Sequence, residues 1–157
     1  MKCVALSLAL TLSAIAHAEI IQFRGAVKAV HDGDTLRMTS GDTVVKVRLA
    51  DIDAPELTQR YGHESKRSLE QLTRDKPVDA TCTGKDRYGR LLCTLIVGKL
   101  DVNAAQIERG MAWVYQRYVP KRTPLKVAEA DAARGNRGLW ADANAIAPWE
   151  YRRAQKD

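Results

Sequence analysis

His31-Asp32-Gly33-Asp34-Thr35 begins the stretch that decides the fold, and Val47-Arg48-Leu49-Ala50-Asp51-Ile52-Asp53-Ala54-Pro55-Glu56 ends it. Between these ends, residues 35–39 and 43–49 read as two strands about the turn Ser40-Gly41-Asp42. Val45, Val47 and Leu49 share one face by the two-residue period of a strand. A hairpin turning near Gly41 sets residues equally far on either side next to one another. Asp34 then falls near Arg48 at the open end, and Asp53 and Glu56 follow just beyond it. The shared end follows from the hairpin itself. The shared face depends on its register, because a slip of one residue sends Asp34 and Arg48 to opposite faces.

Working outward, residues 19–30 alternate loosely and read as a preceding strand, with Gly25 placed for a bulge. Residues 50–59 carry too many acids, with Pro55, to extend the sheet, and read as an ordered loop. Residues 61–73 have helical character, with Leu69 and Leu72 inward. Residues 77–83 and 91–97 read as two further strands flanking Gly84-Lys85-Asp86-Arg87-Tyr88-Gly89-Arg90. Asp101 caps a helix through Glu108 that Gly110 ends, and residues 124–134 form another. Residues 111–118 are aromatic and fit no single period. Trp140 and Trp149 are placed to pin the tail to the body, and residues 150–156 form a basic end. Five short strands followed by helices suggest a small Greek-key barrel, an α+β chain that is mainly β, with about three packed helices.

Residues 1–18 have the form of a cleavable export signal: Lys2, an apolar run from Cys3 to Ala16, and the small-residue site Ala16-His17-Ala18. The run is short for a membrane span. Removing it leaves residues 19–157 as one domain of 139 residues, and the formal charge falls from +6 to +5. The expected location is secreted or periplasmic, with no stable membrane association afterwards. A basic excess on a small exported domain points to a polyanion partner. Export also makes the surroundings oxidising. Cys82 and Cys93, in strands that a hairpin would pair, are therefore expected as a disulfide rather than as two buried thiols.

Acids gathered beside a guanidinium suggest a hard cation and a phosphate handled in one place. Asp34, Asp53 and Glu56 could hold Ca²⁺ with carbonyls and water completing about six to eight oxygens. Each residue also has a plainer reading. Asp32-Gly33-Asp34 is ordinary turn composition, Glu56 a solvated loop carboxylate, and Arg48 a strand-face cation beside Lys46. His31 reads as a polar strand end, and with His63 and the cysteine pair it supplies no spaced zinc set.

In combination, Asp34-Thr35, Arg48-Leu49, Asp53-Ala54-Pro55-Glu56 and Asp86-Arg87-Tyr88-Gly89-Arg90 resemble the staphylococcal nuclease (thermonuclease) family in order, spacing and residue type. Gly138-Leu139-Trp140 and Pro148-Trp149-Glu150 look like that family's C-terminal segments. The resemblance implies a five-stranded OB-fold barrel and Ca²⁺-dependent hydrolysis of DNA and RNA, single-stranded or denatured, to 3′-phosphates by a monomer. It makes Asp34, Asp53 and the Ala54 backbone carbonyl metal ligands. Glu56 becomes the residue that orients or deprotonates water, and Arg48 and Arg90 those that grip the scissile phosphate. Tyr88 and Tyr118 are candidate substrate contacts, or ordinary packing residues. The chain departs from the best-known member at Ala54, in place of threonine, in a shorter loop over residues 56–61 without a lysine cluster, at Gln116, and in its cysteine pair. The other readings are a non-catalytic OB-fold module that binds single-stranded nucleic acid, and an envelope protein that binds anionic polymers. Loss of an acid or arginine from the site would mark the first; here all five are kept.

Overall fold

The computed structural model describes residues 20–115 and 123–156. Residues 1–18, which read as an export signal, Gln116 and Tyr118 lie outside the described residues.

Strands β1 (Ile21–Val30), β2 (Thr35–Ser40), β3 (Thr43–Leu49), β5 (Pro77–Lys85) and β6 (Leu91–Val97) form a closed barrel. Neighbouring strands run antiparallel in the order β3-β2-β1-β5-β6, and β3 closes onto β6 in parallel. This is the OB-fold arrangement. Closure leaves the five long strands without an unpaired edge over their shared length. Two-residue strands complete the set: β4 (Ile52–Asp53) pairs with β8 (Trp113–Val114), and β7 (Leu100–Asp101) folds back to pair antiparallel with the end of β6. The loop expected over residues 50–59 therefore contains a strand, and so does the aromatic stretch after residue 111. A two-residue bridge has no period of its own, because it exists only where its partner is.

The barrel interior follows from alternation. Leu36 and Met38 on β2, Val47 and Leu49 on β3, Val78, Ala80 and Cys82 on β5, and Leu91, Cys93 and Leu95 on β6 are all buried. Helix α1 (Gly62–Thr73) adds Leu69 and Leu72 to this core, and α2 (Val102–Glu108) adds Val102, Ala105 and Ile107. Asp101 caps α2 by accepting the Ala104 N–H at 2.9 Å, and Thr123 caps α3 (Pro124–Arg134) through the Lys126 N–H. A smaller cluster joins Trp113, Leu139 and Ala147, with Trp140 and Trp149 packed against it. The Trp113 and Trp140 rings lie 5.6 Å apart, so these tryptophans do anchor the tail. The basic end is itself a helix, α4 (Pro148–Ala154), a fourth helix beyond the three expected.

The hairpin register sharpens the sequence reading. Ser40 pairs with Thr43 and Thr35 with Arg48, so the turn is the two-residue Gly41-Asp42. Arg48 faces Thr35, one residue along from the expected Asp34. Asp34 lies just before β2, and its carbonyl still accepts the Leu49 N–H at 2.8 Å.

Cys82 and Cys93 are direct cross-strand partners and form a disulfide. Cys93 is also the partner of Leu49 across the parallel seam, so the bridge fixes β5 to β6 where the barrel closes. A loop of this size contributes about 3 kcal/mol in the chain-entropy account. The double variant Cys82→Ala/Cys93→Ala is expected to lose about 2–4 kcal/mol in urea unfolding. A midpoint equal to wild type under non-reducing conditions would contradict this.

Candidate functional site

The site forms where β2 begins, β3 ends and β6 begins. Arg48 is in register with Leu92 across the parallel seam and with Thr35 across the hairpin. Arg90, just before β6, is thereby delivered to the same place. Closing the barrel thus joins residues far apart in sequence.

Arg48 is largely buried, with 13% of its side chain exposed. Its Nη1 donates to the carbonyls of Leu49 at 2.5 Å and Ile52 at 2.7 Å. Its Nη2 donates to Asp53 Oδ1 at 2.9 Å, and its Nε lies 3.0 Å from Asp34 Oδ1. One guanidinium therefore sits between two carboxylates whose residues are only 5% and 3% exposed. The two carbonyl bonds hold it independently of those carboxylates.

Asp34 is further fixed by the Thr35 hydroxyl, which donates to Oδ1 at 2.9 Å, and by the Ala54 N–H, which donates to Oδ2 at 2.7 Å. The second bond sets Ala54 directly beside the carboxylate. Thr35 Oγ1 also accepts from Arg90 Nη1 at 3.2 Å. Arg90 Nε donates to Asp86 Oδ2 at 2.7 Å, and Asp86 Oδ1 accepts the backbone N–H groups of Tyr88 and Arg90. Burial opposes ionisation of Asp86, but the hydrogen bonds from Arg90 and Tyr88 outweigh it and hold its carboxyl below the ordinary range. Tyr88 is 67% exposed, with the Arg87 and Arg90 guanidiniums 4.8 and 5.6 Å from its ring centroid. It stands at the rim beside Arg90.

Glu56 begins a tight loop. Gln59 N–H donates to its carbonyl, and Gly62 opens α1 so close that a Cβ there would lie 2.0 Å from the same oxygen. Only glycine permits that approach. The Glu56 side chain is 38% exposed, and its Oε1 accepts from Arg152 Nη1 at 2.7 Å. The same guanidinium spans Asp53: Nη2 lies 2.7 Å from Oδ2 and Nη1 3.4 Å from Oδ1. Burial raises the Asp53 pKa, the Arg152 hydrogen bond opposes that rise, and the Asp34 charge adds to it. Asp32 is pushed up to about 7 by burial and then by the Asp34 charge, although it also accepts the Asp34 N–H at 3.0 Å.

The structure therefore brings Asp34, Arg48, Asp53, Ala54, Glu56 and Arg90 into one hydrogen-bonded and ion-paired cluster, with Tyr88 at its edge. Tyr118 is outside the described residues. Sequence reasoning did not select Thr35, Asp86 or Arg152. The Asp-x-x-x-Arg spacing on a turn was a usable signal for Asp86. Arg152 carried none, because its partners precede it by 99 and 96 residues.

Asp34 and Asp53 are hard oxygen donors, and each lies against the same guanidinium, within 3.0 Å. Among the described residues, no three His, Cys, Asp or Glu side chains are grouped to hold a metal. The donor set fits an oxygen-seeking ion that keeps much of its shell as water and carbonyl oxygen, and does not fit zinc.

The sequence model of the family described as staphylococcal nuclease homologue matches residues 46–142. An uncharacterized endonuclease of Haemophilus influenzae is 43% identical over 131 residues, covering 83% of this chain and 73% of that one. The micrococcal nuclease of Shigella flexneri is 37% identical over 167 residues, covering 100% of this chain and 94% of that one. An uncharacterized endonuclease of Escherichia coli O157:H7 is 38% identical, covering 82% and 84%.

Replacing Arg48 by Met leaves Asp34 buried without its cation, and Asp53 with Arg152 alone. At pH 7 the variant is expected to lose about 3–5 kcal/mol of stability. The Arg48 charge lowers the Asp53 pKa, so its loss leaves that carboxyl further above its unfolded value. The deficit is then smallest near pH 4 and grows as pH rises through the folded-state values. Urea melts of both proteins across that range test this, and a deficit independent of pH would contradict it.

Proposed function

The chain belongs to the staphylococcal nuclease family and is a nuclease, and we propose that it is an exported, Ca²⁺-dependent enzyme that hydrolyses phosphodiester bonds of single-stranded or denatured DNA and RNA. The observation that carries this reading is the single cluster in which two buried carboxylates, one partly exposed carboxylate and three arginines meet at the barrel end. The basic balance of the chain suits a polyanion substrate.

A phosphodiester repels an incoming hydroxide, so its hydrolysis needs cationic stabilisation more than a covalent nucleophile. Asp34 and Asp53, with the Ala54 carbonyl, would hold Ca²⁺. When bound, the ion supplies Lewis-acid stabilisation of charge on a phosphate oxygen. Glu56, the exposed acid of the cluster, orients the attacking water and takes its proton. Water oxygen adds to phosphorus, the P–O5′ bond breaks with its electron pair going to O5′, which takes a proton from solvent and leaves as the 5′-hydroxyl, and the phosphate stays on the 3′ side.

Arg48 and Arg90 have distinguishable parts in this. Three Arg48 N–H groups are spent on Leu49, Ile52 and Asp53, so it acts mainly as a fixed charge. Arg90 is tethered through Nε and Nη1, is 23% exposed, and faces the rim. It is the better placed of the two to fork onto phosphate oxygens. Tyr88 beside it offers a ring on which a base can stack.

Digestion of denatured DNA and of RNA is expected to require Ca²⁺ and to stop in chelator, leaving 3′-phosphate ends. Glu56→Gln and Arg90→Met are each expected to lower kcat by about 10²–10³-fold, by analogy with loss of one charge-stabilising donor. Undiminished cleavage in chelator, or wild-type kcat in Glu56→Gln, would remove this mechanism. Salt-sensitive binding without product would favour the binding-module reading.

A further inference from the structure

Arg152 is a charge from the last helix placed on the two residues that the proposed chemistry most needs. Its Nη2 lies 2.7 Å from Asp53 Oδ2, and its Nη1 lies 2.7 Å from Glu56 Oε1 and 3.4 Å from Asp53 Oδ1. With Arg48 on Asp53 Oδ1 at 2.9 Å, both oxygens of Asp53 face a guanidinium. A divalent cation cannot bind Asp53 directly and leave both arginines where they are. At such short range, two like charges repel strongly even in a partly solvated site.

The two arginines are not equally free to yield. Arg48 is 13% exposed and bonded to the carbonyls of Leu49 and Ile52. Arg152 is 41% exposed, and every hydrogen bond of its guanidinium among the described residues goes to Asp53 or Glu56. It therefore loses its ties at this site once those carboxylates turn to another cation. It can do so without unfolding the helix that carries it. Tyr151 bonds Thr58 through its hydroxyl at 3.1 and 3.2 Å, and the Trp149 ring lies 6.0 Å from Tyr115.

We propose that Arg152 is the resident counter-ion of Asp53 and Glu56, a positioning residue that Ca²⁺ displaces from Asp53 and that in leaving unties Glu56. Metal loading and release of the water-activating carboxylate then become one event. The helix supplies +1 where the ion supplies +2, so the buried acids remain neutralised in both states. This rests on the Ca²⁺ reading above, and the test separates the two.

Calorimetric titration of the whole chain with Ca²⁺ alone is compared for wild type, Arg152→Met and Arg152→Lys. Arg152→Met is expected to bind Ca²⁺ about tenfold tighter, which corresponds to about 1.4 kcal/mol, because nothing must be displaced. Its melting temperature without Ca²⁺ should fall, and the rise on adding Ca²⁺ should exceed that of wild type. Arg152→Lys, with a point charge that cannot fork across two carboxylates, should lie between. In wild type, hydrogen exchange of residues 148–154 should quicken on adding Ca²⁺. Equal or weaker binding by Arg152→Met, or slower exchange in this helix, would overturn the displacement while leaving the Ca²⁺ site in place. No Ca²⁺ binding by any of the three proteins would overturn the Ca²⁺ reading and the displacement with it.

Discussion

Two carboxylates buried side by side need a cation between them, and at this end of the barrel that cation is Arg48. Asp34 and Asp53 are each under a tenth exposed, and an unpaired ionised acid in such surroundings would cost several kcal/mol. Arg48 meets the requirement because β3 ends there. Its Nη1 takes the Leu49 and Ile52 carbonyls at the bend into β4, a bend that places Asp51 in the left-handed region at φ 63°. The local chain therefore fixes the guanidinium independently of either carboxylate. Charge balance and backbone geometry are satisfied by the same atoms.

That fixed charge is extended by hydrogen bonds rather than by further buried charge. Thr35 faces Arg48 across the hairpin, and its hydroxyl donates to Asp34 while accepting from Arg90. A hydroxyl can both donate and accept, so this one residue couples the acidic part of the site to the second arginine. Asn103 does comparable work at the seam. It is buried, donates to the carbonyls of Ala50 and Cys93, and accepts the Leu95 N–H. The backbone groups at the point of closure are satisfied there by one side chain, where unmet ones would oppose closure.

The parts of this arrangement that the sequence revealed are those with a repeating signal or a family-like motif. Residues 43–49, 91–97 and 124–134 have in the structure the bounds that period and capping implied. The gathering of Asp34, Arg48, Asp53 and Glu56 followed from the hairpin alone. Its register did not, since Gly41 as turn centre and Gly41-Asp42 as turn differ by one residue and both suit the composition. Strands β4 and β8 were illegible because two residues define no period. Helix α4 had a usable signal, a proline at its first turn in Pro148-Trp149-Glu150, but its seven residues are too few to show an apolar face. The reach of Arg152 to Asp53 depends on the whole tail wrapping back over the barrel, and no local pattern encodes that.

That wrapping explains how a short loop can hold Glu56. Between residues 56 and 61 the chain has little length in which to order itself, and its side chains are tied to the tail instead. Gln59 donates to the Ile146 carbonyl at 2.5 Å, Arg60 pairs with Asp142 at 2.6 Å, Thr58 accepts from Tyr151, and Glu56 accepts from Arg152. Exposed pairs such as Arg60–Asp142 are individually weak. Their effect lies in number and in a shared anchor, the cluster of Trp113, Leu139 and Ala147 that seats the tail. Immobilising the tail once, by apolar burial, lowers the entropy cost of each later polar contact, since one partner is already ordered. The position of Glu56 is thus set from both sides: by the start of α1 at Gly62, where only glycine fits, and by a C-terminal segment nearly a hundred residues away.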